Sequence, residues 1–184
     1  MDRLLEESFK KQASKEKFTL KSIERLEKHF STHLSKEYKD FLLHFGSVVI
    51  EAGLVDSFIV KYKTEERIED VLNFLSEKEI LEAYEILRTV NEYDGEAQIP
   101  AYFIPIAHTN ESFHRNYILL HTEDGTIWLT MEDESMEKKI ETFGFIANGF
   151  SDFLNAIDSY ENLTKTNTPI QEDKNNIIPD DFLN

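Results

Sequence analysis

The sequence predicts a fold that mixes helices and strands, on three observations. Near the start, Leu34-Ser-Lys-Glu-Tyr38-Lys-Asp-Phe41-Leu42-Leu43-His-Phe45-Gly46 has the spacing of an apolar-faced helix closed by a glycine. Near the end, Tyr117-Ile-Leu-Leu-His121 and Thr126-Ile-Trp-Leu-Thr-Met131 flank a short polar turn, and Ile146 to Ile157 then returns to helical spacing. Composition is the third: 40% hydrophobic residues, with 14 Phe, 7 Tyr and 1 Trp, mark a folded chain. Its 184 residues suit one domain that buries a core without disulfides or metals.

Taken in order, residues 1–18 are charged and weakly periodic, and are expected as a short helix or an ordered arm. Leu20, Ile23, Leu26 and Phe30 then recur at helical spacing, with Lys21, Glu24, Arg25, Glu27 and Lys28 on the other faces. Ser31-Thr32-His33 breaks that helix. Ser35 caps the next one, its hydroxyl offered to a free N–H of the first turn. Tyr38, Phe41, Leu42 and Phe45 form its apolar face, and Gly46 stands where a left-handed residue ends a helix. Val48-Val49-Ile50 and Leu54 to Val60 are β-rich runs around Glu51-Ala-Gly53, which suits a turn or hairpin.

Residues 65–75 and 77–90 return to helical spacing, through Ile68, Val71, Leu72 and Leu75, then Ile80, Leu81, Tyr84 and Leu87. Asp94-Gly95 ends that region. Tyr102 to Ile106 reads as a strand. Pro100 and Pro105 cannot donate to a ladder, which favours an edge or a strand end. Asp124-Gly125 supplies the residue types of a tight turn, so the two flanking runs form a hairpin. Gly149 or Ser151 opens the last helix, with Phe150, Phe153, Leu154 and Ile157 on one face. From Leu163 onward the composition is that of a mobile tail, whose Ile177, Ile178, Phe182 and Leu183 suit docking back or engaging a partner.

The net charge of −16 excludes several functions. Residues 1–40 hold 10 Lys/Arg against 8 Asp/Glu, and residues 41–184 hold 10 against 28. A field of that sign repels phosphate backbones, so no nucleic-acid partner is expected, and it attracts a basic one. The absence of cysteine removes a disulfide framework, a thiolate nucleophile and a Cys-based zinc site. No run approaches a membrane span, and the N-terminus lacks the apolar core of a signal peptide. A cytoplasmic location without membrane contact is the expectation.

Chemistry-bearing residues are sparse. His29 and His33 are four apart, a zinc-compatible spacing, but Ser31-Thr32 falls between them at the helix end. Two surface imidazoles is the preferred reading. His108, His114 and His121 cluster around the loop before the hairpin and within it. With Glu111, Glu123 and Asp124 they make the best enzymatic reading the chain offers. The carboxylate runs Glu65-Glu66, Glu69-Asp70, Glu123-Asp124 and Glu132-Asp133-Glu134 fall in turns and polar faces, where carboxylates stay ionised. They suit a charged binding rim better than acid–base catalysis. No phosphate-cradling loop and no nucleophile elbow occurs, so no cofactor, no metal and no catalytic residue is expected.

In order and spacing, several of these residues resemble the SUKH superfamily. Leu34, Glu37 and Tyr38 match its first helical unit, with Ser35 where proline is usual and Phe45-Gly46-Ser47 where Asn-Gly or Tyr-Gly and a second glycine are usual. Phe103-Ile-Pro-Ile-Ala107 matches its apolar-Pro strand, and Ile146, Ala147, Phe150, Phe153 and Leu154 match its closing pattern. The resemblance covers roughly residues 20–160 and implies an α+β domain with a curved, mainly antiparallel sheet and helices packed against it. A single domain over residues 1–163 is expected, with the arm at about 1–18 and the tail at 164–184.

That superfamily is known mostly for bacterial immunity proteins that neutralise toxins, and it also holds yeast cell-wall synthesis regulators. The function it implies is an immunity protein, not an enzyme, that masks a basic toxin such as a nuclease. The expected interface is an acidic surface drawn from Glu65, Glu66, Glu69, Asp70, Glu123, Asp124, Glu132, Asp133 and Glu134. Two alternatives stand beside it: an intracellular adaptor without catalytic activity, and an enzyme using His108, His114 and His121. The oligomeric state is open.

Overall fold

A computed structural model describes residues 6–7, 9–10, 17–50, 55–62, 65–89, 97–109, 116–130 and 143–166. Helix α1 spans Leu20–Phe30 and opens on a reciprocal cap: Ser22 N–H donates to Thr19 Oγ1 at 3.1 Å and Thr19 N–H to Ser22 Oγ at 3.3 Å. It ends at Ser31, which takes the left-handed conformation at φ 51°. Helix α2, Lys36–His44, is capped by Ser35, whose Oγ accepts from Tyr38 N–H at 3.2 Å. Gly46 follows at φ 71°, the left-handed position expected of it.

The strands are β1 (Val48–Val49), β2 (Ser57–Lys61), β3 (Glu66–Phe74), β4 (Phe103–Thr109), β5 (Tyr117–His121), β6 (Ile127–Thr130) and β7 (Phe143–Ala147). Helix α3 (Glu77–Arg88) lies between β3 and β4, and α4 (Phe150–Ala156) and α5 (Tyr160–Thr166) follow β7. Residues 164–166, expected in the tail, thus belong to α5; residues 167–184 lie outside the described residues.

Every strand pairing is antiparallel, and the sheet runs β1-β3-β2-β7-β6-β5-β4 with a further β3–β4 pairing. That last pairing closes the sheet on itself, so the fold is α+β built on a small barrel. Followed through its partners, Glu66 leads by Lys61, Phe145, Trp128 and Leu119 to Pro105. Pro105 lies beyond the last β3–β4 pair, Phe74–Ala107, so the ring closes with a steep stagger and tilted strands. Strands β3, β5 and β7 finish at one end of the barrel, called the upper end below.

Two expectations are corrected. Residues 66–74 form a strand rather than a helix. The register shifts between Val71 and Asn73 against β4, and this irregularity puts buried Val71 and Phe74 three apart, a spacing that imitates a helix. Nor do the two early β-rich runs make a hairpin with each other. β1 and β2 both pair with β3, at Asn73–Phe74 and at Glu66–Asp70 respectively, because its nine residues hold both end to end. The β5–β6 hairpin stands as expected, with Gly125 at φ 77° in its turn.

Helices cover the barrel and close its upper end. Phe74 and Phe58, near the upper ends of β3 and β2, meet Phe153 of α4 at ring-centroid distances of 6.1 and 5.6 Å. Phe41 of α2 reaches Phe74 at 4.7 Å and Phe150 at 5.2 Å. Phe9, fully buried, stands edge-on to Phe41, Phe45 and Phe74, so the N-terminal arm contributes to the core directly.

Candidate functional site

The described members of the expected acidic set, Glu65, Glu66, Glu69, Asp70, Glu123 and Asp124, are spread from one end of the barrel to the other. Glu65 and Glu66 stand at the lower end, where β2 runs into β3. Glu65 pairs with Arg67, and Glu66 Oε1 lies 3.7 Å from Lys61 Nζ. Thr130 and Phe143, which pair across β6 and β7, lie at this end too. Glu132, Asp133 and Glu134 fall between them in sequence and lie outside the described residues. Glu69 and Asp70 sit higher on β3, and Asp70 accepts a 2.6 Å hydrogen bond from the buried Ser57 hydroxyl.

Glu123 and Asp124 stand at the upper end, in the β5–β6 turn. Asp124 Oδ1 accepts from Thr126 N–H at 2.9 Å and Thr126 Oγ1 at 2.6 Å, and lies 3.0 Å from His121 Nδ1. Partial burial works to raise its carboxyl; the Thr126 hydrogen bonds and the imidazole outweigh that and hold it below its usual range. This Asp124 is therefore a turn-fastening anion.

Among the described residues, His108 and His121 do not converge. His121 pairs opposite Phe103, at one end of the β4–β5 ladder, and its ring packs on Tyr102 and Phe103. His108 pairs opposite Tyr117 at the other end, five residues from Phe103, which is roughly 15 Å along the strand. His108 Nε2 lies 3.5 Å from Asn73 Nδ2. His114 and Glu111 lie outside the described residues. His29 is on α1 and His33 follows its left-handed end, so they share no helix face. They lie 3.9 Å from Glu85 and Glu27 respectively. Among the described residues no group of three or more His, Asp or Glu is placed to hold a metal ion, and no helix is long and apolar enough to cross a membrane.

Sequence reasoning missed a surface groove of about 210 Å³ between α2 and α4. Phe41, Phe45, Phe150 and Leu154 line its apolar part, and Glu37, Asp40, His44 and Ser151 its polar part. Glu37, Asp40 and His44 fall at i, i+3 and i+7 on α2, a stripe that the sequence displays beside Phe41 and Phe45. Lys36 Nζ reaches Asp40 Oδ2 at 2.7 Å, and that hydrogen bond, more than any other influence, holds Asp40 below the usual carboxylate range. His44 Nδ1 lies 3.0 Å from the Asp40 carbonyl oxygen.

Helix α2 is held against α1 by Glu27. Its Oε1 accepts from Leu34 N–H at 3.0 Å and Lys39 Nζ at 3.1 Å. Burial works to raise this carboxyl, and those partners with nearby His33 more than offset it. The groove's α2 wall is thereby fixed relative to the rest of the fold. The α1–α2 connection also touches the upper turn, where Thr32 Oγ1 donates to Thr122 O at 3.3 Å.

Compared with curated proteins, the chain finds no match. A family model does match: that of the SMI1 / KNR4 family (SUKH-1), over residues 17–156. The matched span runs from just before α1 to the last residue of α4 and takes in the whole described sheet. The chain therefore belongs to the SMI1 / KNR4 family (SUKH-1).

Proposed function

We infer that this chain is an immunity-type binding protein that neutralises a cognate bacterial toxin, a basic nuclease, by laying an acidic surface over its active site. The observation that carries the reading is the charge: −16 overall, with 28 acidic against 10 basic residues beyond residue 40, in a chain of the SUKH-1 family, whose wider superfamily is known mostly for immunity proteins. A phosphate-binding toxin is basic where it works, so an acidic partner is steered to that face. Long-range attraction speeds encounter, and a few desolvated side chains set how long the complex lasts.

The test is recovery of the tagged chain from its native cells at moderate salt, followed by expression of whatever co-purifies stoichiometrically. One basic partner, lethal alone and harmless with this chain, is the expected outcome. Several substoichiometric partners, none of them toxic, would replace this reading with an adaptor role like that of the family's regulators.

A further inference from the structure

We propose that the groove between α2 and α4 is an anchor site for an arginine side chain presented by the partner protein. This deepens the binding function above and rests on it for the existence of that partner. The groove joins an apolar floor to an anionic rim. Phe41, Phe150 and Leu154 are buried beneath it, Phe45 is half-buried, and Glu37, Asp40 and His44 are exposed around it. A side chain with an aliphatic stem and a cationic head satisfies both parts at once. Arginine fits better than lysine: its planar guanidinium is weakly hydrated, stacks on aromatic faces and donates to several acceptors.

Three acceptors stand on α2. Glu37 stands exposed at the groove's polar rim. Among the described residues the Asp40 carboxylate is hydrogen-bonded by Lys36, in an exposed i,i+4 pair of the kind that exchanges partners at little cost. His44 is the third. A carbonyl only accepts, so the 3.0 Å contact with Asp40 O puts the proton of the neutral ring on Nδ1. That leaves Nε2 as an acceptor. The last turn of α2 adds the negative end of the helix at His44 and Phe45.

Other occupants fit worse. The chain's own residues 167–184 carry Glu172, Asp173, Asp180 and Asp181 against Lys174 alone, so Glu37 and Asp40 disfavour them. A second copy brings the same excess of negative charge.

The probe is N-acetyl-arginine amide, titrated into the ¹⁵N-labelled full chain at low salt beside its uncharged counterpart, N-acetyl-citrulline amide. Saturable shifts of the amides at 40–45 and 149–154 are expected for arginine and not for citrulline. Replacing Glu37→Gln and Asp40→Asn together should weaken arginine binding roughly five- to tenfold. Ser151→Trp, an exposed substitution that fills the groove, should abolish it while the rest of the spectrum stays folded. Non-saturating shifts spread over the acidic surface, saturation elsewhere, or equal binding of citrulline would each overturn the anchor. The probe needs no toxin, so the two readings fail separately. Protection of cells without arginine binding sinks the groove alone, and arginine binding without a lethal partner sinks the immunity role alone.

Discussion

Tyr38 shows how a single residue can oppose the fold that contains it. Its ring is fully buried against Phe150, at 4.8 Å between centroids, and contributes to the core as any large aromatic does. Among the described residues its hydroxyl has no hydrogen-bond partner. Burial alone drives its ionisation far above the ordinary tyrosine range, so the group is neutral at every physiological pH. An orphaned buried hydroxyl costs about 1–3 kcal/mol. Tyr38→Phe removes the cost and keeps the ring, and should raise the unfolding free energy by about 1 kcal/mol in urea titrations. A loss of similar size would mean that a buried water serves the hydroxyl. Phe9 is the opposite case. Nothing in the charged sequence around it marks it as core, yet it is enclosed by Phe41, Phe45 and Phe74.

At the scale of elements, the seam between β2 and β7 is the place where the barrel is most narrowly joined. Among the described residues the two strands share one register pair, Lys61–Phe145. Gly144 makes the approach possible. A Cβ there would collide with Val60 Cγ1 and lie 2.7 Å from Tyr62 Cε1. Gly144→Ala should therefore destabilise the protein by about 2 kcal/mol through overpacking, read as a lower thermal midpoint. An unchanged midpoint would mean that β2 and β7 can part without cost, and that the closure adds little. The same elements show what the sequence made legible. The helix caps at Ser35 and Gly46 and the β5–β6 hairpin are local chemistry, carried by a few adjacent residues, and they read correctly. Strand β3 does not, because its burial pattern is set by two partners on one edge and a bulge against a third, none of them near in sequence. The groove escaped notice for a related reason. Phe41 and Phe45 look like ordinary core positions, and only the packing of α2 beside α4 leaves a gap beneath a row of polar side chains.

For the whole molecule, the proposed binding role raises the question of which end of the barrel would meet a partner. Composition located the acidic residues but not their arrangement, since only the closed sheet separates Glu65 and Glu66 from Glu123 and Asp124. The upper end holds Glu123 and Asp124 and is capped by α2 and α4, which form the groove. Under the proposed function it would offer both long-range attraction and a place for a buried anchor, the two properties that fast and lasting association require. Two double variants separate the ends: Glu65→Lys with Glu66→Lys below, and Glu123→Lys with Asp124→Asn above. Asparagine retains an oxygen for the Thr126 contacts that fasten the turn. Against the toxin that the proposed function calls for, the upper variant should slow association about tenfold at low salt and the lower one far less. The difference should fade as the screening length shrinks from about 10 Å at 0.1 M salt to about 3 Å at 1 M. A greater effect of the lower variant would move the interface to the other end and away from the groove. Unchanged rates for both would remove electrostatic steering from the mechanism.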